Sequence, residues 1–249
     1  MEWGSTLVML LALFQVSSSL SDTQPTKDAK PPANSGSLSD SNSSTLSTSS
    51  PSTPPAASGK ALLPDVREEL LSRVKKDQDA RTTLIEWMKQ TKFSQLPKPI
   101  KDPMLISEFK KITESMSAVD QDNLVFLKRI VEKHGWLSRT LVSADGAKAA
   151  WLMLQHADSD REFQKECLEM MKGLPTGEVE GKDVAYLTDR ILVNEGQPQI
   201  YGTQIKSSAN GGLELAPLFE PEQVDDRRKK MGLGPIQEYL DEIRKQFGP

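Results

Sequence analysis

Val184-Ala-Tyr-Leu-Thr-Asp-Arg-Ile-Leu-Val193, then Asn194-Glu-Gly-Gln-Pro198, then Gln199-Ile-Tyr-Gly-Thr-Gln204: a helix-like segment, a turn and a strand-like segment follow one another here. The first segment is apolar almost all the way round at helical spacing. Val184, Leu187, Thr188 and Ile191 form one face, and Tyr186 and Val193 lie opposite. A helix apolar on both faces is buried. Yet Asp189 and Arg190 sit in its middle. Buried charges are costly unless paired and hydrogen-bonded, so both should meet partners from other segments. The last segment alternates like a strand from Gln199 to Lys206. Ser207 to Gly212 then reads as a polar turn and Leu213 to Leu218 as the returning strand. Gly202 within the strand implies a bulge or a close backbone approach.

Outward from this core, Asp145 to Ala157 carries Ala147, Ala149, Ala150, Trp151, Leu152, Met153 and Leu154, with only Lys148 breaking the apolar surface. It should be a central buried helix ending in Gln155-His156-Ala157-Asp158. A polar end on a buried helix needs partners, because an unpaired buried polar group costs about 1–3 kcal/mol. Asp158 or Ser159 would cap the next helix, Arg161 to Lys172. Asp65 to Gln90 is helical, with Leu70, Val74, Leu84, Ile85 and Met88 on one face. Asp77, Gln78 and Arg81 interrupt that face. They form either a local ion pair at i, i+4 or the wall of a polar pocket. Three prolines between Lys92 and Pro103 enforce a loop. Met104 to Met116 and Asp120 to His134 read as two further helices, the second capped by Gly135, with His134 in its last turn. Glu222 to Met231 and Pro235 to Phe247 close the chain, the latter with Ile236, Leu240, Ile243 and Phe247 on one stripe. The expected fold is mainly α: about seven helices and one small C-terminal β-hairpin within residues 61–249.

Composition sets limits. The 249 residues carry a net charge of −4, with 31 basic against 35 acidic side chains, so there is no basic field for nucleic acid. A single cysteine, Cys167, excludes an intrachain disulfide and a cysteine metal cage, and His134 and His156 alone leave little for zinc. No metal or cofactor is expected, although carboxylates leave a cation site open. Leu7 to Val16 is an apolar run followed by Ser17-Ser18-Ser19, as in an export signal over residues 1–19, although Glu2 stands where a basic residue is usual. Residues 20–60 are rich in Ser, Thr and Pro and should form a disordered spacer. Asn42-Ser43-Ser44 matches the glycosylation acceptor pattern within it. The expected location is secreted or cell-envelope, with membrane contact only through the N-terminal signal or anchor.

The order of motifs resembles a bacterial domain-of-unknown-function family, DUF6624. The motifs are Asp77-Gln78 with Arg81, Gly135-Trp136, Gln155 to Asp158, Tyr186 to Arg190, Tyr201 to Gln204, Asp225-Asp226-Arg227-Arg228, and Gly232-Leu233 with Pro235. They span nearly all of residues 61–249. Leu137 departs from the pattern, since many relatives carry Pro after the Gly-Trp pair. The resemblance implies no activity, because the family has none assigned.

The candidate site gathers Asp77, Gln78, Arg81, Gln155, His156, Asp189, Arg190, Tyr201 and Gln204. As a binding pocket, two arginines among amides and an aromatic suit a polar or anionic small ligand, or a peptide or protein partner. As a hydrolase, His156 would be the general base, oriented by Asp189 or Asp77, with water, Thr188 or Thr203 as nucleophile. No serine elbow, zinc motif, phosphate loop or dinucleotide fingerprint is present, which favours binding over catalysis. The third reading is a purely structural hydrogen-bond network. An open cavity and a free ring nitrogen on His156 would separate these readings.

Overall fold

The computed structural model describes residues 61–93, 96, 100–207 and 213–247. The expected signal, spacer and most of the polar turn (208–212) lie outside the described residues. Helix α1, Pro64–Gln90, starts on a proline, whose missing N–H has no helical partner at that position. It buries Leu70, Val74, Leu84, Ile85 and Trp87 together with Asp77 and Arg81. Helix α2, Pro103–His134, is one helix of 32 residues where two were expected. Ser117-Ala118-Val119 contains neither glycine nor proline, so nothing there interrupts the hydrogen-bond ladder. Asp102 caps its start by accepting from Met104 N–H at 2.8 Å. Gly135, at φ 72°, ends it and donates to Val131 O at 2.8 Å.

Helix α3, Arg139–Gln155, is the centre of the fold. It bends at Ser143, which takes a left-handed φ of 62°. Beyond the bend every residue from Ala149 to Gln155 is buried. This helix packs on α1 and α2 and on α5, Gly181–Asn194. Helix α4, Arg161–Lys172, packs on α5. The cap of α4 is Asp160, which accepts from Phe163 N–H at 3.1 Å. The expected caps, Asp158 and Ser159, do not serve there, because Arg190 holds the Asp158 carboxylate.

The hairpin is shorter than expected: β1, Ile205–Ser207, pairs antiparallel with β2, Leu213–Leu215, in the register Ile205 opposite Leu215. Residues 199–204 form an irregular loop instead of a strand. The amides of Ile200, Tyr201 and Thr203 turn to a side chain of α5, that of Gln199 donates to Pro217 O at 2.8 Å, and Gly202 takes a φ of 68°. After a 3₁₀ turn, α6 (Val224–Lys230) and α7 (Ile236–Phe247) follow. Tyr239 and Ile243 of α7 pack on Ile205 in a small second core. The seven helices and one hairpin of the described residues bear out the expected mainly α class. None of these helices is long and apolar enough to cross a membrane.

Candidate functional site

The sequence-predicted polar residues fall into three clusters rather than one pocket. In the first, α1, α2 and the end of α3 meet. Asp77 and Arg81 lie one turn apart on the buried face of α1, and Arg81 Nη1 sits 2.8 Å from Asp77 Oδ1. His156 follows the last turn of α3 and brings Nδ1 to 2.9 Å from the same oxygen. Gln78 Nε2 donates to Asp77 Oδ2 at 2.7 Å. The other arm of the guanidinium, Arg81 Nη2, donates to Asp120 Oδ1 of α2 at 2.7 Å. Burial pushes the Asp77 carboxyl up, but the charge and hydrogen bond of His156 and the Arg81 guanidinium outweigh it and hold Asp77 below its ordinary value. At Asp120 burial wins over the pull of Arg81, and the carboxyl is raised. Sequence reasoning missed Asp120, read there as a helix start. A single α2 carries Met116, Asp120, Leu124 and Leu127 on one stripe, and Asp120 breaks that stripe as Asp77 and Arg81 break theirs.

Beside this network is a cavity of about 330 Å³. His156 and Met116 are its buried lining, Asp120 is half-buried, and Glu114, Ser117, Gln121 and Ser159 form an exposed rim. His156 is 4% exposed, and its Nε2 has no hydrogen-bond partner. Buried side-chain atoms without partners also occur on Asn123, Gln164 and Gln204, none of which lines this cavity. Asp77, Asp120 and His156 offer ligand atoms within 4.8 Å of one another, a spacing that admits a cation. Asp77, however, is saturated by three donors, and Arg81 already supplies the positive charge. Only His156 Nε2 and the second oxygen of Asp120 remain, too few for a protein-built metal site.

The second cluster joins α5 to the α3–α4 connection. Arg190 grips Asp158 with two arms, Nε to Oδ1 at 2.8 Å and Nη2 to Oδ2. Asn194 Nδ2 and Gln164 Nε2 donate to Asp158 Oδ1 as well, at 3.0 and 3.3 Å. Burial raises the Asp158 carboxyl, but Arg190 outweighs it and leaves the group below its ordinary value. Gln155 is fully buried at the α3–α5 contact. With its amide oriented to satisfy both neighbours, it accepts from Leu187 N–H at 3.2 Å and Trp151 Nε1 at 3.3 Å.

In the third cluster the 199–204 loop wraps the Asp189 carboxylate. The N–H groups of Ile200 (2.7 Å), Tyr201 (3.0 Å) and Thr203 (3.0 Å) and the Thr203 hydroxyl (2.9 Å) all donate to it. Burial pushes the Asp189 carboxyl up against these donors. Carbonyls of the same loop take the charges of α6. Arg227 Nε donates to Ile200 O at 2.8 Å, and Arg228 Nη1 to Tyr201 O at 2.8 Å. Peptide groups 200–202 are thus held between a buried anion and two guanidinium groups. Gln199 closes the loop, accepting from Gln204 N–H at 2.8 Å and donating to Gln204 O at 3.0 Å. Tyr201 contributes its backbone to the clamp, and the Gln204 side chain donates to Thr203 Oγ1 at 3.1 Å. Thr203 is thereby committed to Asp189, and the Thr188 hydroxyl donates to Val184 O at 2.8 Å. Asp189 does not touch His156; the residue that orients the imidazole is Asp77.

These features define a helical domain with two polar clusters enclosed in the fold, each with one amide oxygen left over (Gln164 and Gln204), and another that borders a cavity. The chain belongs to the family of unknown function DUF6624, whose model matches residues 64–248. No curated protein and no solved structure matches the chain.

Proposed function

We propose that this domain binds a small polar ligand in the cavity beside His156 and works outside the cytoplasm, to which the apolar run Leu7 to Val16 would direct it. One observation carries the reading. His156 lines an open cavity and its buried Nε2 lacks a partner, and a buried polar atom left unpaired costs about 1–3 kcal/mol. A ligand group completes that hydrogen bond. Recognition of an anion by Arg81 and Arg190 has no support, because carboxylates already hold both guanidinium groups. The same nitrogen favours a second reading, catalysis. Asp77 at Nδ1 fixes the ring, and Nε2 is the ring nitrogen left to exchange a proton with water.

The test is thermal unfolding of the full chain beside His156→Gln, against a panel of amines, sugars, short peptides and organic acids. A compound that stabilises the wild type and not the variant identifies the ligand, and its conversion to product would establish catalysis. A panel that shifts both proteins equally, or neither, overturns the binding reading.

A further inference from the structure

We propose that the ligand of the His156 cavity carries a protonated amine on a short aliphatic stem. This rests on the cavity being a binding site, and it adds the chemistry of what enters.

Charge points that way first. Glu114 and Asp120 line the cavity, and neither lysine nor arginine does. The nearest cation in the network, Arg81, is 2% exposed, with its Nη atoms on Asp77 and Asp120. Asp77, Asp120 and Arg81 together leave one negative charge, and Glu114 on the rim pairs only loosely with exposed Lys110, at 3.8 Å. An anionic ligand would enter against this field, and a cation would enter with it.

The inventory of acceptors agrees. An ionised Asp77 can only accept, so His156 Nδ1 carries the proton that faces it at 2.9 Å. In this proposal Nε2, which has no partner, is the acceptor of the ring. Among the described residues, Arg81 takes Oδ1 of Asp120 and no donor takes Oδ2. An ammonium group has three donors and no acceptor, which matches a lining that offers Nε2, the second oxygen of Asp120 and the exposed Glu114 carboxylate. Met116 supplies an apolar surface for methylene groups, and about 330 Å³ is at the small end of ligand pockets.

The experiment reads the histidine ring nitrogens of the full chain by ¹⁵N NMR. The chain has two histidines, and His134→Gln assigns the spectrum. The probes are putrescine, ethanolamine, glucose and inorganic phosphate. The free protein should show Nε2 of His156 as an unprotonated nitrogen. Putrescine and ethanolamine should shift that signal, glucose and phosphate should not, and added salt should weaken the amines. Asp120→Asn should weaken putrescine roughly tenfold, as expected for loss of a charged hydrogen bond. Should that variant fail to fold because Arg81 loses a partner, Glu114→Gln on the exposed rim should keep stability and weaken putrescine about two- to fivefold. A protonated Nε2 in the free protein would overturn the amine assignment. So would a shift of His156 by glucose or phosphate but not by the amines, and the site itself would then stand. If none of the four probes moves His156, both the amine assignment and the binding reading fail.

Discussion

Asp189→Asn tests whether the loop that carries Tyr-Gly-Thr-Gln is held by one carboxylate. In the native protein three amides and one hydroxyl converge on it at 2.7–3.0 Å, and the Asp189 side chain is fully buried. An asparagine must turn its NH₂ toward one side of this ring of donors. The cheaper side is Thr203, whose hydroxyl can rotate to accept. The Thr203 N–H is then orphaned, at about 1–3 kcal/mol. The amides of Ile200 and Tyr201 keep a neutral acceptor in place of a charged one, a loss of about 1 kcal/mol each. Relief of the buried charge, which raises the Asp189 carboxyl, offsets part of this. The expected net loss is about 2–4 kcal/mol. With a urea slope of about 2 kcal/mol/M, the midpoint should fall by roughly 1–2 M. Thr203→Val removes only the hydroxyl and should cost less, about 1–2 kcal/mol. A loss below about 1 kcal/mol for Asp189→Asn, or Thr203→Val the worse of the two, would refute the clamp.

Four further outcomes follow from the same geometry. Arg190→Gln leaves Asp158 without its cation and should destabilise by about 3–5 kcal/mol in urea unfolding. Gly202→Ala combines a φ of 68° with a Cβ placed 2.6 Å from Ile236 Cδ1, and should lower stability by about 1–3 kcal/mol in a thermal melt unless Ile236 swings away. Burial pushes the Cys167 thiol up to about 12, so maleimide at pH 8 should label it only after unfolding. Asp77 is held below its ordinary value, so its ionised form contributes stability above about pH 4, and that contribution is lost as pH falls through the folded-state value. Asp77→Asn should therefore be less stable than wild type at pH 7 and show a shallower loss below pH 4 when stability is followed by urea titration.

The buried character of α3 was legible because Ala149 to Leu154 leaves no polar face. The helix at 184–193 was legible too, and so was the need of Asp189 and Arg190 for partners. What those partners are was not. Arg190 meets a carboxylate 32 positions away, and Asp189 meets backbone amides, which every residue but proline carries. The loop reads as a strand, and its ends, Gln199 and Gln204, do bond to the returning segment at Pro217, Phe219 and Ala216, while the amides of Ile200, Tyr201 and Thr203 between them run to Asp189 of α5. Asp120 escaped notice because an acid at an assumed helix start is routine capping chemistry. It became meaningful only once α2 ran unbroken past it. The cavity depends on how α2 crosses the end of α3, and no local pattern encodes that.

The same carboxylate has two tasks, and this limits how the site can be probed. Asp77 ties Arg81 and His156 into the contact of α1, α2 and α3, and it also fixes which nitrogen of the imidazole is left over. Removing Asp77 would loosen the helices and release the ring together, so lost binding would say nothing of mechanism. Removing the His156 ring with alanine would strip a donor from a fully buried carboxylate. His156→Gln is the cleaner change: its amide NH₂ can still donate toward Asp77, while the second ring nitrogen disappears. If the network is only structural, His156→Gln should be close to wild type in every assay. If Nε2 is the recognition group, stability should hold within about 1–2 kcal/mol while ligand-induced stabilisation vanishes. The other clusters provide the contrast, since Asp158 and Asp189 are surrounded by donors of the fold itself and their substitution should change stability alone.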